Sequence, residues 1–263
     1  MKVSQSQVRC YKACRRLYYL KYVEGLQYNK EIEPLQVGAS YHEKIEELYN
    51  KGYFESGATK TDAMAFAYEK YIYPQFKVKG AEKWFDCQLN DKHSLIGRVD
   101  AIAEDGLLVE HKTTSSDITE EYLYNLQWDE QVLAYMLAYG VTEMYYTVCK
   151  KPTIRQKQSE TDEEFFERCC KWYDEDTDSK IKVFKVTRTQ EEIDNYKQQL
   201  IDTIDEMEQQ TLFYNNTSNC TCWGRRCEYS SICLNYDAKL EYVDFTKEDK
   251  EQKRKEMSED ELY

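Results

Sequence analysis

The chain has 263 residues, of which 41% are apolar, 14% aromatic and 32% charged, and its formal net charge is −13. This length can bury a sizeable core, the aromatic content excludes a disordered chain, and the charges break up any membrane-spanning stretch. The negative charge argues against a protein that coats nucleic acid nonspecifically, because such binding relies on Lys and Arg to neutralise phosphates. We therefore expect a soluble globular protein that does not associate with membranes.

The N-terminal region lacks the apolar core that a secretory signal needs, so we expect the protein to remain in the cytoplasm. The chain contains ten cysteines, and cysteines in a reducing compartment seldom form stable disulfides. Clustered cysteines are therefore better explained as metal ligands.

Helices are predicted in the first part of the chain. Apolar periodicity predicts a first helix over residues 4–23, with Ser4 or Ser6 as its N-cap. A second helix is predicted at about 37–49, and a third over 61–73.

Three strand-like runs follow these helices, at residues 83–89, 94–103 and 107–112. Polar turns at 90–92 and 104–106 separate the runs. The simplest prediction for this region is an antiparallel meander.

The rest of the chain alternates between predicted helices and strands. Helices are predicted over 120–139, from 159–162 onward and over 190–210, and strands over 144–150 and 181–188. We predict one domain over residues 1–240, followed by a charged and poorly ordered tail over 241–263.

Acidic and basic residues lie on the predicted meander. Asp100 lies on one strand, and Glu110, His111 and Lys112 lie on the next. Because side chains two residues apart on a strand point the same way, Glu110 and Lys112 project together, whereas His111 faces away or offers its backbone carbonyl. The carboxylates of Asp100 and Glu110 suit Mg²⁺ or Mn²⁺ in phosphodiester hydrolysis. An edge hairpin with exposed charges is the alternative explanation.

Residues on the neighbouring predicted helices extend this group. His42 lies near the start of the predicted second helix, and its imidazole favours Mn²⁺ over Mg²⁺. Gln131 and Tyr135 are four residues apart, which places them on one helical face. Taken separately, His42 could equally well be an ordinary surface histidine, and Gln131 and Tyr135 could equally well be a pair that only packs.

The order of these residues resembles the RecB-like branch of the PD-(D/E)XK nuclease superfamily, which includes CRISPR-associated and AddB-type nucleases. The similar motifs are G-x-x-x-H (Gly38, His42), G-R-x-D (Gly97, Arg98, Asp100), E-x-K (Glu110, Lys112) and Q-x-x-x-Y (Gln131, Tyr135). The similarity covers roughly residues 4–234. It implies an α/β fold with a mixed central sheet, including the antiparallel meander, flanked by helices in a restriction-endonuclease-like core.

The same resemblance implies a role for each of these residues. The metal ligands would be His42, Asp100, Glu110 and the carbonyl of His111. Lys112 would act on the nucleophilic water. Gln131 and Tyr135 would orient the substrate or Lys112.

Three cysteines lie in an irregular segment near the C-terminus: Cys220, Cys227 and Cys233. A four-sulfur site needs a further ligand, and the N-terminal helix offers Cys10 and Cys14. Cys222 could also replace Cys220. Such a site suits either a [4Fe–4S] cluster or Zn²⁺.

The choice among these cysteines comes from resemblance to RecB-like nucleases that contain an iron–sulfur cluster. Those proteins have one early cysteine followed by a basic residue and aromatics, as Cys14 is here, and a distant triad whose layout matches Cys220 better than Cys222. The resemblance favours iron–sulfur over zinc. The cluster would join segments 4–23 and 211–236, so that its binding energy contributes to folding.

Basic and aromatic residues surround the predicted cluster. The basic residues predicted to contact DNA are Arg15, Arg16, Arg225 and Arg226, and Tyr18, Tyr19 and Trp223 lie among them. This mixture suits single-stranded DNA, whose bases stack on rings while its phosphates pair with guanidinium groups. Packing around the cluster would explain the aromatics equally well. DNA is preferred over RNA by resemblance alone.

The sequence thus predicts a metal-dependent DNA nuclease. It would be an exonuclease on single-stranded DNA or DNA ends, in recombination, repair or phage-type replication. The alternative is a DNA-binding or assembly module that partners a helicase, a recombination protein or a CRISPR integrase, with the nuclease centre secondary. The complete set of His42, Asp100, Glu110 and Lys112 favours the enzyme.

Overall fold

The structure is a computed structural model of the chain, and it describes residues 1–29, 33–222, 225–233 and 245–247. These residues form two compact units. The first contains the described residues of 1–31, 88–96 and 197–263, and the second contains those of 32–87 and 97–196.

The strands of the described chain are β1 (Lys2–Ser4), β2 (Leu26–Tyr28), β3 (Val78–Gln88), β4 (Ser94–Ala103), β5 (Leu108–Thr114), β6 (Glu143–Lys150), β7 (Ile181–Thr187), β8 (Thr221–Cys222), β9 (Arg225–Arg226) and β10 (Phe245–Lys247). Its α-helices are α1 (Gln5–Ala13), α2 (Arg15–Tyr18), α3 (Glu33–Lys51), α4 (Lys60–Tyr71), α5 (Glu120–Leu126), α6 (Glu130–Tyr139), α7 (Asp162–Glu175), α8 (Thr177–Lys180), α9 (Gln190–Gln209) and α10 (Ser230–Cys233). A π-helical turn covers Tyr19–Val23, and 3₁₀ turns cover Tyr73–Gln75 and Thr217–Asn219.

The main sheet has the strand order β1-β4-β5-β6-β7, with β3 also paired to β4. β4 and β5 are antiparallel, β5 and β6 are parallel, and β6 and β7 are antiparallel. The prediction of an α/β fold with a mixed central sheet flanked by helices is confirmed.

In the second unit, β6 is covered on both faces. Cys149 packs into a core cluster with residues of α3, α4 and α7, including Tyr41, Met64 and Tyr173. Met144, Tyr146 and Val148 pack into another cluster with residues of α5 and α6, including Leu126 and Met136. A strand buried on both faces needs a nearly continuous apolar run, which explains the composition of 144–150.

The second helix is longer than predicted. α3 begins at Glu33 rather than near residue 37, because Pro34 is tolerated in the first turn of a helix, where its missing N–H is not needed. His42 therefore lies in the middle of the helix, and its predicted place near the helix start was wrong.

The helix predicted over 120–139 is two helices. Asp129 stands between α5 and α6 with extended backbone, and its side chain accepts the backbone N–H of Gln131 at 2.9 Å. A capping carboxylate of this kind starts a new helix, so that α6 has its own N-terminus beside Gln131.

The predicted helix over 4–23 is also interrupted. Ser4 caps α1 in a capping box with Gln7, which confirms Ser4 as the N-cap rather than Ser6. Cys14 has extended backbone (φ −162°, ψ 114°) and separates α1 from α2. Because of this break, the Cys14 side chain does not follow the helical periodicity of α1.

β3 starts at Val78, five residues before the predicted strand. Ala81 and Glu82 are consecutive and both partly covered, and Lys83 and Trp84 are consecutive and both exposed, so the alternation along β3 is interrupted before it resumes at Phe85. Glu82 has φ +50°, a left-handed conformation that is uncommon for a residue with a side chain. An interruption of this kind, together with a positive φ, is typical of a β-bulge, which redirects a side chain.

Gly97 on β4 allows a close approach of Phe85. A Cβ on Gly97 would lie 2.6 Å from Cζ of Phe85, well inside contact distance. The Phe85 ring also meets the rings of Tyr135 and Tyr139 edge-on, with centroids 5.9 and 5.8 Å away. The glycine of the G-R-x-D motif therefore serves packing in this chain.

In the first unit, β1 runs parallel to the start of β4, with Lys2 opposite Ser94. β2 and β10 pair antiparallel. A small core of Leu20, Leu26, Tyr229, Ile232 and Phe245 covers this pair. Phe245–Lys247 thus form a strand inside the predicted tail, whereas residues 241–244 and 248–263 lie outside the described residues.

None of the helices that the structure describes is both long and apolar enough to cross a bilayer.

We expect Gly97→Ala to destabilise the fold by about 1–3 kcal/mol, because overpacking a close contact has this cost. Chemical denaturation measures the effect. Gly38→Ala is the matched control, since its Cβ would lie 3.6 Å from Oγ1 of Thr113, an ordinary contact. Alanine also favours a helix interior, so the control should be neutral or stabilising. Unchanged stability of Gly97→Ala would contradict the packing role.

Candidate active site

Side chains from five elements of the second unit form one polar centre. α3 supplies His42, β3 supplies Glu82, β4 supplies Asp100, β5 supplies Glu110 and Lys112, and α6 supplies Gln131 and Tyr135. The residues predicted as catalytic are thus brought together from distant parts of the sequence.

β5 places alternate side chains on opposite faces. Glu110 and Lys112 share one face, where Nζ of Lys112 donates to Oε1 of Glu110. The His111 ring lies buried on the other face, with Nε2 3.1 Å from the Tyr49 hydroxyl and Nδ1 2.7 Å from Oγ1 of Thr147. Burial lowers the pKa of His111 to about 3, so its ring is neutral and committed to the core.

Asp100 is held by two groups. Its Oδ2 accepts the backbone N–H of His111 at 2.7 Å, and its Oδ1 lies 3.5 Å from Nδ1 of His42. Burial would raise the pKa of Asp100, but His42 and the His111 N–H outweigh burial and hold that pKa well below its ordinary value. Burial disfavours charge on His42 as well, yet Asp100 raises the His42 pKa. Asp100 is therefore a fixed anion, which suits a hard cation.

Glu110 is only 2% exposed. Its Oε1 accepts from Lys112, whereas its Oε2 is buried and has no hydrogen-bond partner within the described chain. Burial, reinforced by the charge of Asp100, raises the pKa of Glu110. A divalent cation would give the open oxygen a partner and offset the charge, so these residues fit Mg²⁺ or Mn²⁺.

A chain of hydrogen bonds fixes Lys112. Its Nζ donates to Oε1 of Gln131 at 2.6 Å, and Nε2 of Gln131 donates to the Tyr135 hydroxyl at 2.7 Å. That hydroxyl donates in turn to the backbone carbonyl of Arg98 at 2.9 Å. The Q-x-x-x-Y pair of α6 therefore links Lys112 on β5 to the strand that bears Asp100.

Glu82 belongs to this centre although the sequence did not predict it. Its carboxylate, the His42 ring and the Asp100 carboxylate offer ligand atoms within 4.8 Å of one another. Burial raises the pKa of Glu82 to about 7, although Arg98, whose Nε lies 2.5 Å from Oε2 of Glu82, lowers it. Gly80 is the sequence signal that points here, because an isolated glycine in a strand suggests a bulge.

The cysteines predicted to bind a cluster line one pocket in the first unit: Cys14, Cys220, Cys227 and Cys233. Sγ of Cys14 also accepts the backbone N–H of Asn216 at 3.3 Å. No cluster is evident among the described residues, since no three of these sulfur atoms lie within 4.8 Å of one another. Cys10 does not line the pocket, and the side chain of Cys222 lies outside the described part of the chain.

The predicted DNA-binding arginines lie in the first unit. Arg15 pairs with Glu206 at 2.8 Å and its guanidinium covers the Tyr11 ring, while Arg16 lines the cysteine pocket. The backbone of Arg226 pairs with Thr221 and its side chain is exposed. The side chain of Arg225, and Trp223 as a whole, lie outside the described residues. Arg15 thus has intramolecular partners, and DNA contact by these arginines stays a prediction.

Comparison with known proteins gives one family match and several structural likenesses. The chain resembles an alkaline exonuclease from Laribacter hongkongensis at 13% identity, over 79% of this chain and 88% of the other, with a TM-score of 0.37. It resembles SSO0001 at 17% identity, over 88% of this chain and 85% of the other, with a TM-score of 0.43. It also resembles a phage-related exonuclease from Haemophilus somnus 129PT at 14% identity, over 78% of this chain and 96% of the other, with a TM-score of 0.35. No curated protein matches the sequence. The family model matches residues 2–92 and 53–234, which together cover most of the chain. The chain belongs to the PD-(D/E)XK nuclease superfamily.

Proposed function

We propose that this chain is a divalent-metal-dependent deoxyribonuclease of the RecB-like branch. It acts as an exonuclease on single-stranded DNA or DNA ends, in recombination, repair or phage-type replication. The proposal rests on the buried Glu110 carboxylate. Its Oε2 has no hydrogen-bond partner within the described chain, and Glu110 lies in one centre with His42, Asp100 and Lys112. Membership of the superfamily already indicates metal-dependent phosphodiester hydrolysis.

The proposed ligands of Mg²⁺ or Mn²⁺ are His42, Asp100, Glu110 and the backbone carbonyl of His111. When bound, such an ion polarises the scissile phosphate and lowers the pKa of a water. The chain keeps Asp100 ionised through His42 and the His111 N–H. His42 binds a metal only as the neutral ring, so loading the site displaces its proton.

Lys112 is proposed to hold the attacking water and to offset the negative charge that develops on the phosphate. Burial disfavours its charged form, but the neighbouring Glu110 raises the Lys112 pKa, so the ammonium group persists. A lysine has three donors, and Glu110 and Gln131 engage two of them. Their positions direct the remaining donor, and Tyr135 positions Gln131.

Exposed aromatic rings support single-stranded DNA as the substrate. Tyr124 and Trp128 are 57% and 70% exposed, and their ring centroids are 6.3 Å apart. Tyr124 lies on α5, and Trp128 lies between α5 and α6, the helix that supplies Gln131 to the proposed catalytic centre. Base stacking on exposed rings contributes about 1–3 kcal/mol per base and tolerates any sequence.

We further propose that Cys14, Cys220, Cys227 and Cys233 hold a [4Fe–4S] cluster that joins segments 4–23 and 211–236. Their shared pocket supports this proposal. A tetrahedral Zn²⁺ site with Zn–S bonds of 2.3 Å needs sulfur atoms about 3.8 Å apart. The preference for an iron–sulfur cluster over one zinc ion rests on the resemblance to iron–sulfur nucleases.

We expect Mn²⁺ to raise the melting temperature of the protein, because an ion at 100 times its Kd stabilises the folded state by about 2.7 kcal/mol. Glu110→Gln should lose most of this increase. Differential scanning calorimetry measures the increase in both proteins, with the exposed Glu167→Gln on α7 as control. An unchanged Mn²⁺ response in Glu110→Gln would contradict the metal role.

With Mn²⁺, anaerobically prepared protein should release nucleotides from end-labelled DNA. Asp100→Ala and Lys112→Ala should each lower kcat by about 100-fold or more, because each removes a group that stabilises the transition state. Lys185→Ala on the exposed side of β7 is the control, and circular dichroism checks folding. Retained cleavage in either variant rejects the mechanism. Tight DNA binding by a wild-type protein that does not cleave would instead favour an assembly module.

The cluster proposal predicts a coloured protein with four iron and four sulfide per chain after anaerobic purification. Cys227→Ser should lose the iron and melt at a lower temperature, because binding energy at the site contributes to folding. Cys170→Ser, on α7 and half-buried, is the matched control that should keep both. A colourless protein with one zinc per chain would overturn the iron–sulfur proposal and leave the nuclease proposal standing.

A further inference from the structure

His93 is a buried histidine that belongs to the first unit and lies outside the catalytic centre. It stands at the end of the turn between β3 and β4. The Asn90 side chain accepts the backbone N–H groups of Lys92 and His93, at 2.9 and 2.8 Å, and the His93 carbonyl accepts that of Leu89 at 2.9 Å. The turn therefore holds the backbone that carries the imidazole ring.

Two carboxylates of α9 converge on this ring. Asp205 and Glu208 are three residues apart, which places them on one face of the helix. Oδ1 of Asp205 lies 2.9 Å from Nε2 of His93, and ligand atoms of all three side chains lie within 4.8 Å of one another. The Met1 ammonium group lies 3.2 Å from the other ring nitrogen, Nδ1, and 3.4 Å from Oε1 of Glu208. Nε2 is therefore the ring nitrogen available to a cation beside Asp205.

Other contacts within the first unit hold this part of α9 in place. Glu206 accepts hydrogen bonds from the Tyr11 hydroxyl and from Nη2 of Arg15, each at 2.8 Å. Ile204 and Met207 are buried. The helix that carries the two carboxylates and the turn that carries the ring are thus both fixed by contacts that do not involve the three side chains.

The donor set and its exposure suit a transition-metal cation. Zn²⁺ binds imidazole nitrogen and carboxylate oxygen at about 2.0–2.2 Å, which places the ligands of a tetrahedral ion roughly 3.4 Å apart. The side chains of Asp205 and Glu208 are 46% and 44% exposed, so solvent reaches them and they can rotate, whereas His93 is fully buried. Separations of up to 4.8 Å can therefore close around an ion by movement of the carboxylates alone.

We propose that His93, Asp205 and Glu208 bind one Zn²⁺ that joins the turn at 90–93 to α9. The site shares no ligand with the catalytic centre or with the cysteine pocket, and it does not depend on the proposed function. The ion replaces the hydrogen bond between Nε2 and Asp205, so its binding displaces a proton. His93 and Asp205 are 112 residues apart, so the ion closes a long loop and stabilises the folded state.

Zn²⁺ titration of the intact, anaerobically purified protein tests this site. Glu208→Gln should bind one Zn²⁺ fewer than the wild type, or bind that ion about 10-fold or more weakly, because a carboxylate ligand is lost. The increase in melting temperature with Zn²⁺ should be smaller in the same variant. Glu191→Gln, an exposed carboxylate in the first turn of α9, is the matched control that should retain both. Ions at the cysteines or the catalytic centre are common to these proteins and cancel in the comparison.

Glu208→His gives a test in the opposite direction. A second imidazole at this half-exposed position should tighten the Zn²⁺ by about 10-fold or more, because imidazole suits Zn²⁺ better than a carboxylate does. Three results would overturn the inference: equal Zn²⁺ binding by the wild type and Glu208→Gln, an equal loss in Glu208→Gln and Glu191→Gln, or unchanged binding in Glu208→His. An equal loss in the two glutamine variants would mean that Zn²⁺ binds the acidic surface of α9 without a defined site.

Discussion

A buried carboxylate with an open oxygen is the constraint around which the catalytic centre is arranged. An ionised group in a protein interior is costly unless it is paired and hydrogen-bonded. Glu110 has Lys112 at one oxygen and no partner within the described chain at the other. Lys112 is in turn fixed through Gln131 and Tyr135 to the backbone of β4. The divalent cation that we propose for this centre would give that oxygen a partner, and occupancy of the site would then be linked to stability.

The two acidic residues of the E-x-K and G-R-x-D motifs respond to the same interior in opposite ways. Asp100 receives donors from His42 and the His111 N–H, which lower its pKa, whereas burial and the nearby anion raise that of Glu110. Carboxylates whose environments separate their pKa values serve different roles. Asp100 is an anion under all ordinary conditions, and Glu110 depends on its neighbours for its charge.

Local periodicity was sufficient to predict much of this centre. Alternation along β5 placed Glu110 and Lys112 together and turned His111 away, and helical spacing paired Gln131 with Tyr135. The antiparallel meander was predicted from the same patterns, whereas the mixed sheet flanked by helices was predicted from resemblance to the nuclease family. Glu82 was missed because a positive φ in a strand leaves no trace in residue type except a nearby glycine. The breaks at Cys14 and Asp129 depend on the backbone and on capping, which apolar periodicity does not record.

The parallel pairing of β5 with β6 ties the assembly of the site to folding. Parallel neighbours cannot be joined by a tight turn, so the chain must cross over between them, and this crossover contains α5 and α6. The segment that completes the sheet is thus the segment that delivers Gln131 and Tyr135 to Lys112. The pairing of β5 with β6 and the tether of Lys112 therefore depend on the same crossover.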